Sequence, residues 1–157
     1  MKLKTKLLIK SIALPLLVGL VSGLLTRNAM QDFQTLIKPP LSPPGWLFPV
    51  VWTILYTLMG ISAHLIKTST ADFDTKTDAL MLYRYQLMVN FLWPIFFFNF
   101  GWYLFSLVWL LLLWVLVFFM IRQFNKISKP TAYLNIPYLV WLSFAAYLNV
   151  GIWWLNR

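Results

Sequence analysis

The fold turns on one stretch, Tyr85–Ile121, YQLMVNFLWPIFFFNFGWYLFSLVWLLLLWVLVFFMI, which contains no charged residue. A single helix of that length would reach about 55 Å, far more than the roughly 30 Å of a bilayer's hydrocarbon core. The run therefore predicts a hairpin of two membrane-spanning helices. Its turn is expected at Asn99-Phe100-Gly101, because Asn and Gly tolerate the left-handed backbone of a tight reversal. A side chain at Gly101 should hinder that turn, and Gly101→Val is expected to disturb folding far more than Gly60→Ala.

The rest of the chain has the same character. It is 61% hydrophobic and 11% charged, against roughly 45–50% and 25% in soluble domains. So large an apolar surplus needs lipid as its solvent. Upstream, Leu7 to Thr26 is long enough to cross a membrane. Lys2, Lys4 and Lys6 ahead of it resemble the start of a signal peptide, but the segment is long, carries Lys10 and Pro15, and lacks a small-x-small site before Arg27. It is read as a span, with Gly19 and Gly23 on one face for close helix approach.

A proline-rich connector from Arg27 to Gly45 leads to a second span, Trp46 to Ile66, closed by Lys67. Lys67 to Arg84 reads as a solvated loop or frayed helix end, Arg122 to Pro130 as another connector, and Ala132 to Leu155 as the last span. The expected architecture is all-α, a single domain over residues 1–157. Five transmembrane helices are expected at about 7–26, 46–66, 84–99, 102–121 and 132–155.

Lysine and arginine are distributed unevenly over the connectors. The N-terminus and the second and fourth connectors hold Lys2, Lys4, Lys6, Lys10, Lys67, Lys76, Arg84, Arg122, Lys126 and Lys129. The opposite set holds Arg27, Lys38 and Arg157. The positive-inside rule then puts the N-terminus in the cytoplasm. The charge of +9 is explained by topology, and no nucleic-acid partner is expected.

Chemistry-bearing residues are sparse. There is no cysteine, hence no disulfide, thiolate metal site or thiol nucleophile. Asp32, Asp72, Asp74 and Asp78 fall in expected loops, so no buried carboxylate marks an ion path. His64, in the last turn of the second span, is read as structural rather than as a haem ligand, and no metal site is expected.

What stands out is 18% aromatic content with nine tryptophans, several at mid-span, where an indole N–H needs a partner. Trp52 and Tyr56 share one helix face, Asn90 and Trp93 another, Trp141 and Ala145 a third. These faces could line one pocket for a flat apolar ligand, or simply pack helix against helix.

The same residues resemble the translocator protein family, also called tryptophan-rich sensory proteins. Lys38-Pro39-Pro40-Leu41-Ser42-Pro43-Pro44-Gly45-Trp46 is similar to the family signature Lys-Pro-Ser-Trp-x-Pro-Pro-x-Trp. Trp52 to Gly60 resembles its second-helix continuation, Asn90 to Phe97 with Gly101-Trp102 the third-to-fourth helix motif, and Pro137 to Ala145 the fifth helix.

The resemblance implies a five-helix bundle, often a homodimer, in this case in a bacterial cell membrane. It implies binding of tetrapyrroles such as protoporphyrin IX and haem as ligands, with no required cofactor, and a role in porphyrin sensing or transport. By position it implies pocket residues Trp52, Asn90, Trp93 and Trp141, with Tyr56, Trp102, Ala145 and Leu148 beside them. Trp52 and Trp141 match tryptophans implicated in light-dependent porphyrin degradation in some members, which leaves a weak enzyme or a passive carrier as alternatives to a binding protein.

The sequence departs from the family twice. Pro40-Leu41 replaces the signature Ser-Trp, removing an indole from the loop over the pocket. Val150, Gly151 and Trp154 occupy the positions of the animal sterol-associated segment, and Arg157 is too far from Tyr147 to complete it; high-affinity sterol binding is not expected.

Overall fold

The computed structural model describes residues 2–157, and among them no residue is in a strand. Five helices have 20 residues or more: α1 (Lys2–Thr26), α3 (Leu47–Lys67), α4 (Phe73–Pro94), α5 (Tyr103–Ile127) and α7 (Ile136–Leu155). Two single-turn helices, α2 (Ala29–Phe33) and α6 (Lys129–Tyr133), sit in connectors. Four segments are long and apolar enough to cross a membrane: Lys2–Thr26, Leu47–Lys67, Tyr103–Ile127 and Lys129–Leu155. α4 has the length, but Asp74, Lys76, Asp78 and Arg84 make its first half polar.

α1 inverts the soluble-helix pattern. Ser11, Pro15, Ser22 and Thr26 are buried, while Leu14, Leu17, Leu20 and Leu24 are exposed. Small residues inside and large aliphatic ones outside suit a helix whose outer face meets lipid, because lipid offers leucine as good a solvent as a protein core does. Close approach is concentrated at two glycines. A Cβ on Gly60 of α3 would collide with the Ile12 backbone and lie 2.7 Å from the Ser11 carbonyl oxygen, and one on Gly19 would strike the Tyr56 ring. Gly23, expected to share that role, has nothing within 4 Å of such an atom. The packed seam instead runs through Ser22 and Thr26, three and seven residues beyond Gly19.

The segment read as a solvated loop or frayed helix end from Lys67 to Arg84 is mostly helix. Asp72 caps α4, its carboxylate accepting from the Thr75 backbone N–H at 2.9 Å and from the Thr75 hydroxyl at 2.7 Å. With the cap in place, Ala79, Tyr83, Gln86, Leu87 and Asn90 form one buried face, so the polar first turns are helix built outward from a packed stripe. α5 likewise continues to Ile127, past the boundary expected at Ile121.

The hairpin turn falls where expected. Gly101 has φ 63°, a conformation costing glycine little. The turn is entered through a π-helical segment, Ile95–Asn99, directly after Pro94. The Phe100 N–H donates to the Ile95 carbonyl at 3.1 Å and the Trp102 N–H to that of Phe96 at 3.0 Å. Proline offers no donor, and the wider turn absorbs the mismatch.

Cross-element bonds sort the connectors by end. At one end the Lys67 ammonium reaches Ser11 Oγ at 3.3 Å, and Asn135, between α6 and α7, donates to Ser62 Oγ at 2.8 Å. At the other, Asn99 donates to the Leu25 carbonyl at 3.1 Å, and the Asn156 side chain pairs with both backbone groups of Ile37, at 3.0 and 2.8 Å. The proline-rich connector, the hairpin turn and the C-terminus therefore share an end, opposite the lysine-rich N-terminus.

Candidate functional site

At mid-bundle α3, α4 and α7 meet through a chain of polar side chains. The Tyr56 hydroxyl donates to Asn90 Oδ1 at 2.8 Å, Asn90 Nδ2 donates to the Tyr138 hydroxyl at 2.7 Å, and that hydroxyl donates to Gln86 Oε1 at 2.7 Å. All four are buried. Isolated in an apolar interior each would be costly; linked, they satisfy one another and fix the register of three helices. Gln86 ends the chain at Met59 Sδ, 3.8 Å away.

Aromatic rings cover this polar floor. Trp52 stacks on Tyr56, ring centroids 5.3 Å apart and planes 30° from parallel, and meets Tyr138 edge-on at 6.1 Å. Trp141, one turn beyond Tyr138 on α7, lies edge-to-face with Phe48 at 5.9 Å and against Phe144 at 5.6 Å. Ala145 packs on the same core, and Leu148, one turn further, is half-buried. Trp93 stacks on Phe97 at 5.0 Å.

The three tryptophans differ in what their N–H groups do. That of Trp93 donates to Asn149 Oδ1 at 3.2 Å, and Asn149 in turn donates to the Tyr103 carbonyl at 2.8 Å. Trp52 and Trp141 are both half-buried, and neither indole N–H has an acceptor among the described residues. Two donors thus remain beside a floor whose own polar groups are engaged.

The proline-rich connector is pinned to α7 beside these rings. Pro39 packs so closely on Gly151 that a Cβ there would collide with its ring, and the Tyr147 hydroxyl donates to the Pro40 carbonyl at 2.7 Å. Leu41, where the signature has tryptophan, is 83% exposed with φ 67°, an unusual conformation for a residue with a branched side chain.

Of the residues suggested by sequence, Trp52, Tyr56 and Asn90 join through these contacts, Trp141 takes its ring contacts from Phe48 and Phe144, and Trp93, Trp141 and Ala145 pack against the same core. Trp102 is 53% exposed and takes its ring contacts from Phe96, Phe100 and Phe105, in a separate outward cluster with Trp109. Sequence reasoning missed Gln86, Tyr138, Asn149 and Phe48. The signal for the first three was present: a polar side chain inside an apolar helix is seldom idle, and Gln86 lies one turn from Asn90. His64 is half-buried, with Nδ1 enclosed and unpaired, and among the described residues no three metal-binding side chains gather.

Comparison with known proteins agrees with this architecture. The model of the TspO/MBR family matches residues 11–155. The chain is 38% identical over 146 residues to the Tryptophan-rich protein TspO of Chlorobaculum tepidum, covering 92% of each. It is 35% identical over 150 residues to that of Archaeoglobus fulgidus, covering 95% of this chain and 96% of the relative. It is also 35% identical over 149 residues to the Translocator protein of Bos taurus, 92% and 86% covered. With four segments apolar enough to span a bilayer and these relatives matched nearly end to end, the chain is an integral membrane protein and belongs to the TspO/MBR family.

Proposed function

We propose that this protein is a membrane-embedded binding or sensor protein for tetrapyrroles such as protoporphyrin IX and haem, serving porphyrin homeostasis or transport. In this reading α4 is the fifth crossing and the basic end of the bundle is cytoplasmic. The supporting observation is the pair of half-buried tryptophans, Trp52 and Trp141, whose indole N–H groups are uncommitted beside a closed polar floor. A flat, largely apolar macrocycle with polar edges matches both features: rings supply stacking area, and the two donors meet acceptors at its rim. Asn90 acts indirectly here, because its amide already holds Tyr56 and Tyr138. Titration of the purified protein with protoporphyrin IX, haem and a sterol, followed by tryptophan fluorescence, tests the reading. Saturable quenching by the tetrapyrroles and none by the sterol is expected; equal, unsaturable responses to all three would reject it.

A second reading, slow light-dependent porphyrin breakdown, is favoured by the Trp52–Tyr56 stack, which sets two oxidisable rings in contact. Porphyrin absorbance lost under illumination and stable in darkness would support it. Flux across sealed vesicles would be the corresponding mark of a carrier.

A further inference from the structure

One open cavity on this molecule is lined by none of Trp52, Tyr56, Asn90 and Trp141. It is a groove of about 400 Å³ on the outer surface between α1 and α4, walled by Leu14 and Val18 on one side and by Leu87, Met88 and Phe91 on the other, with Arg84 among them. We propose that this groove binds an anionic phospholipid, an acyl chain lying along the apolar walls and the phosphate held by Arg84.

Three observations carry the assignment. Arg84 is exposed, and no carboxylate among the described residues lies within 4.0 Å of it. An unpaired guanidinium on a lipid-facing surface needs an anion or a route to water. Its level in the membrane is fixed by its neighbours: it shares the groove with Leu14, about 4.5 Å along α1 from Ser11, the residue reached by the Lys67 ammonium. Helical side chains lean toward their own N-terminus, which for α4 is the basic end, so Arg84 snorkels to the level where headgroups begin.

The surroundings select for negative charge. Arg84 and Lys67 are close enough to repel each other, and Lys6 and Lys10 are exposed on the same end of α1. A phosphate diester relieves that repulsion and matches the guanidinium's planar fork. A soluble anion would satisfy Arg84 but leave the apolar groove unfilled; a phospholipid fills both.

Native mass spectrometry of the full chain tests this, with phosphatidylglycerol and phosphatidylcholine of identical acyl chains supplied in equal amounts. Phosphatidylglycerol adducts should dominate. Arg84→Gln should cut that preference about tenfold, the scale of one charge-assisted hydrogen-bonded pair. Val18→Trp, which fills the groove and keeps the charge, should abolish both adducts. Should Arg84→Gln not fold, Arg84→Lys keeps the charge but loses the fork, and a reduced preference is still expected. Equal retention of the two lipids, a preference indifferent to Arg84, adducts indifferent to Val18→Trp, or displacement by excess inorganic phosphate would each overturn the site. So would a dimer that seats a second copy in the groove and excludes lipid.

Discussion

The Tyr56 hydroxyl donates to Asn90 Oδ1 at 2.8 Å, joining α3 to α4 at a point where both residues are buried. Because Asn90 also donates to Tyr138, removing the Tyr56 hydroxyl leaves a buried acceptor unpaired while the rest of the chain stays in place. Tyr56→Phe should therefore destabilise the bundle by about 1–2 kcal/mol. Adding Asn90→Leu should cost less than the sum of the two single changes, since one bond is lost only once. Thermal unfolding in detergent of both single variants and the double variant measures the coupling; strict additivity would mean the two side chains do not act on each other.

Gly60 is less tolerant than the sequence suggests. From sequence, Gly101 was the sensitive glycine and Gly60 the tolerant one, yet a methyl at Gly60 would collide with the α1 backbone, which cannot swing aside as a side chain can. Gly60→Ala should cost about 1–3 kcal/mol, the usual range for overpacking, and should loosen α1 from α3. Gly23→Ala, facing open space, should be neutral or slightly stabilising. Gly101→Val should also destabilise, since φ 63° disfavours a β-branched residue. Comparable melting temperatures for the Gly60 and Gly23 variants would contradict the packing.

What could be read from sequence follows what the bilayer dictates. The charge-free run Tyr85–Ile121 had to reverse, and glycine marked the place; the π-turn after Pro94 left no comparable mark, because it resolves a local hydrogen-bond deficit. The start of α4 reads as loop or frayed helix end because Asp72, Asp74 and Asp78 look like loop residues until Asp72 is recognised as a cap and the stripe from Ala79 to Asn90 as packed. In the site, tryptophan positions were visible as helical spacing and as motif. Which indole donors were already engaged was not, since that depends on Asn149 meeting Trp93 from another helix.

The bundle's polarity makes the orientation testable. Lys67 and the α1 N-terminus share an end, and the proline-rich connector lies at the other. If the basic end is cytoplasmic, a cysteine at Asp74 should resist membrane-impermeant thiol reagents in intact cells, and one at Gln34 should react. The opposite labelling pattern would invert the assignment.

Asp72 provides a pH-dependent signal at one helix end. The Thr75 backbone N–H, and after it the Thr75 hydroxyl, hold its carboxyl below the ordinary carboxylate value. A depressed folded-state pKa means the cap stabilises α4 above the unfolded-state value and loses that contribution as pH falls through the folded one. Protection of the Thr75 and Lys76 amides, taken as exchange relative to an unstructured chain at the same pH, should fall in acid in the native chain. In Asp72→Asn, which keeps an acceptor but cannot titrate, it should lack that added acid dependence; identical profiles would exclude the carboxylate as its source.

Trp52 and Trp141 yield the most discriminating comparison. Trp141→Phe keeps a ring against Phe48 but deletes an N–H that has no acceptor among the described residues, so its loss should be felt by the ligand more than by the fold. Protoporphyrin affinity should fall by about 1–2 kcal/mol, roughly five- to thirty-fold, with little change in melting temperature. Trp114→Phe is the informative control. Trp114 stacks on Phe118 and donates to Ser143 Oγ at 2.9 Å, so removing its indole should lower stability and spare binding. Two tryptophans on facing helices thus give opposite signatures, because one donor is spent within the protein and the other is not. Trp52→Phe should resemble Trp141→Phe, and if illumination bleaches the bound porphyrin, both variants should slow bleaching even at saturating ligand. Equal affinity and equal photochemistry in all three variants and the native chain would falsify Trp52 and Trp141 as part of the porphyrin site.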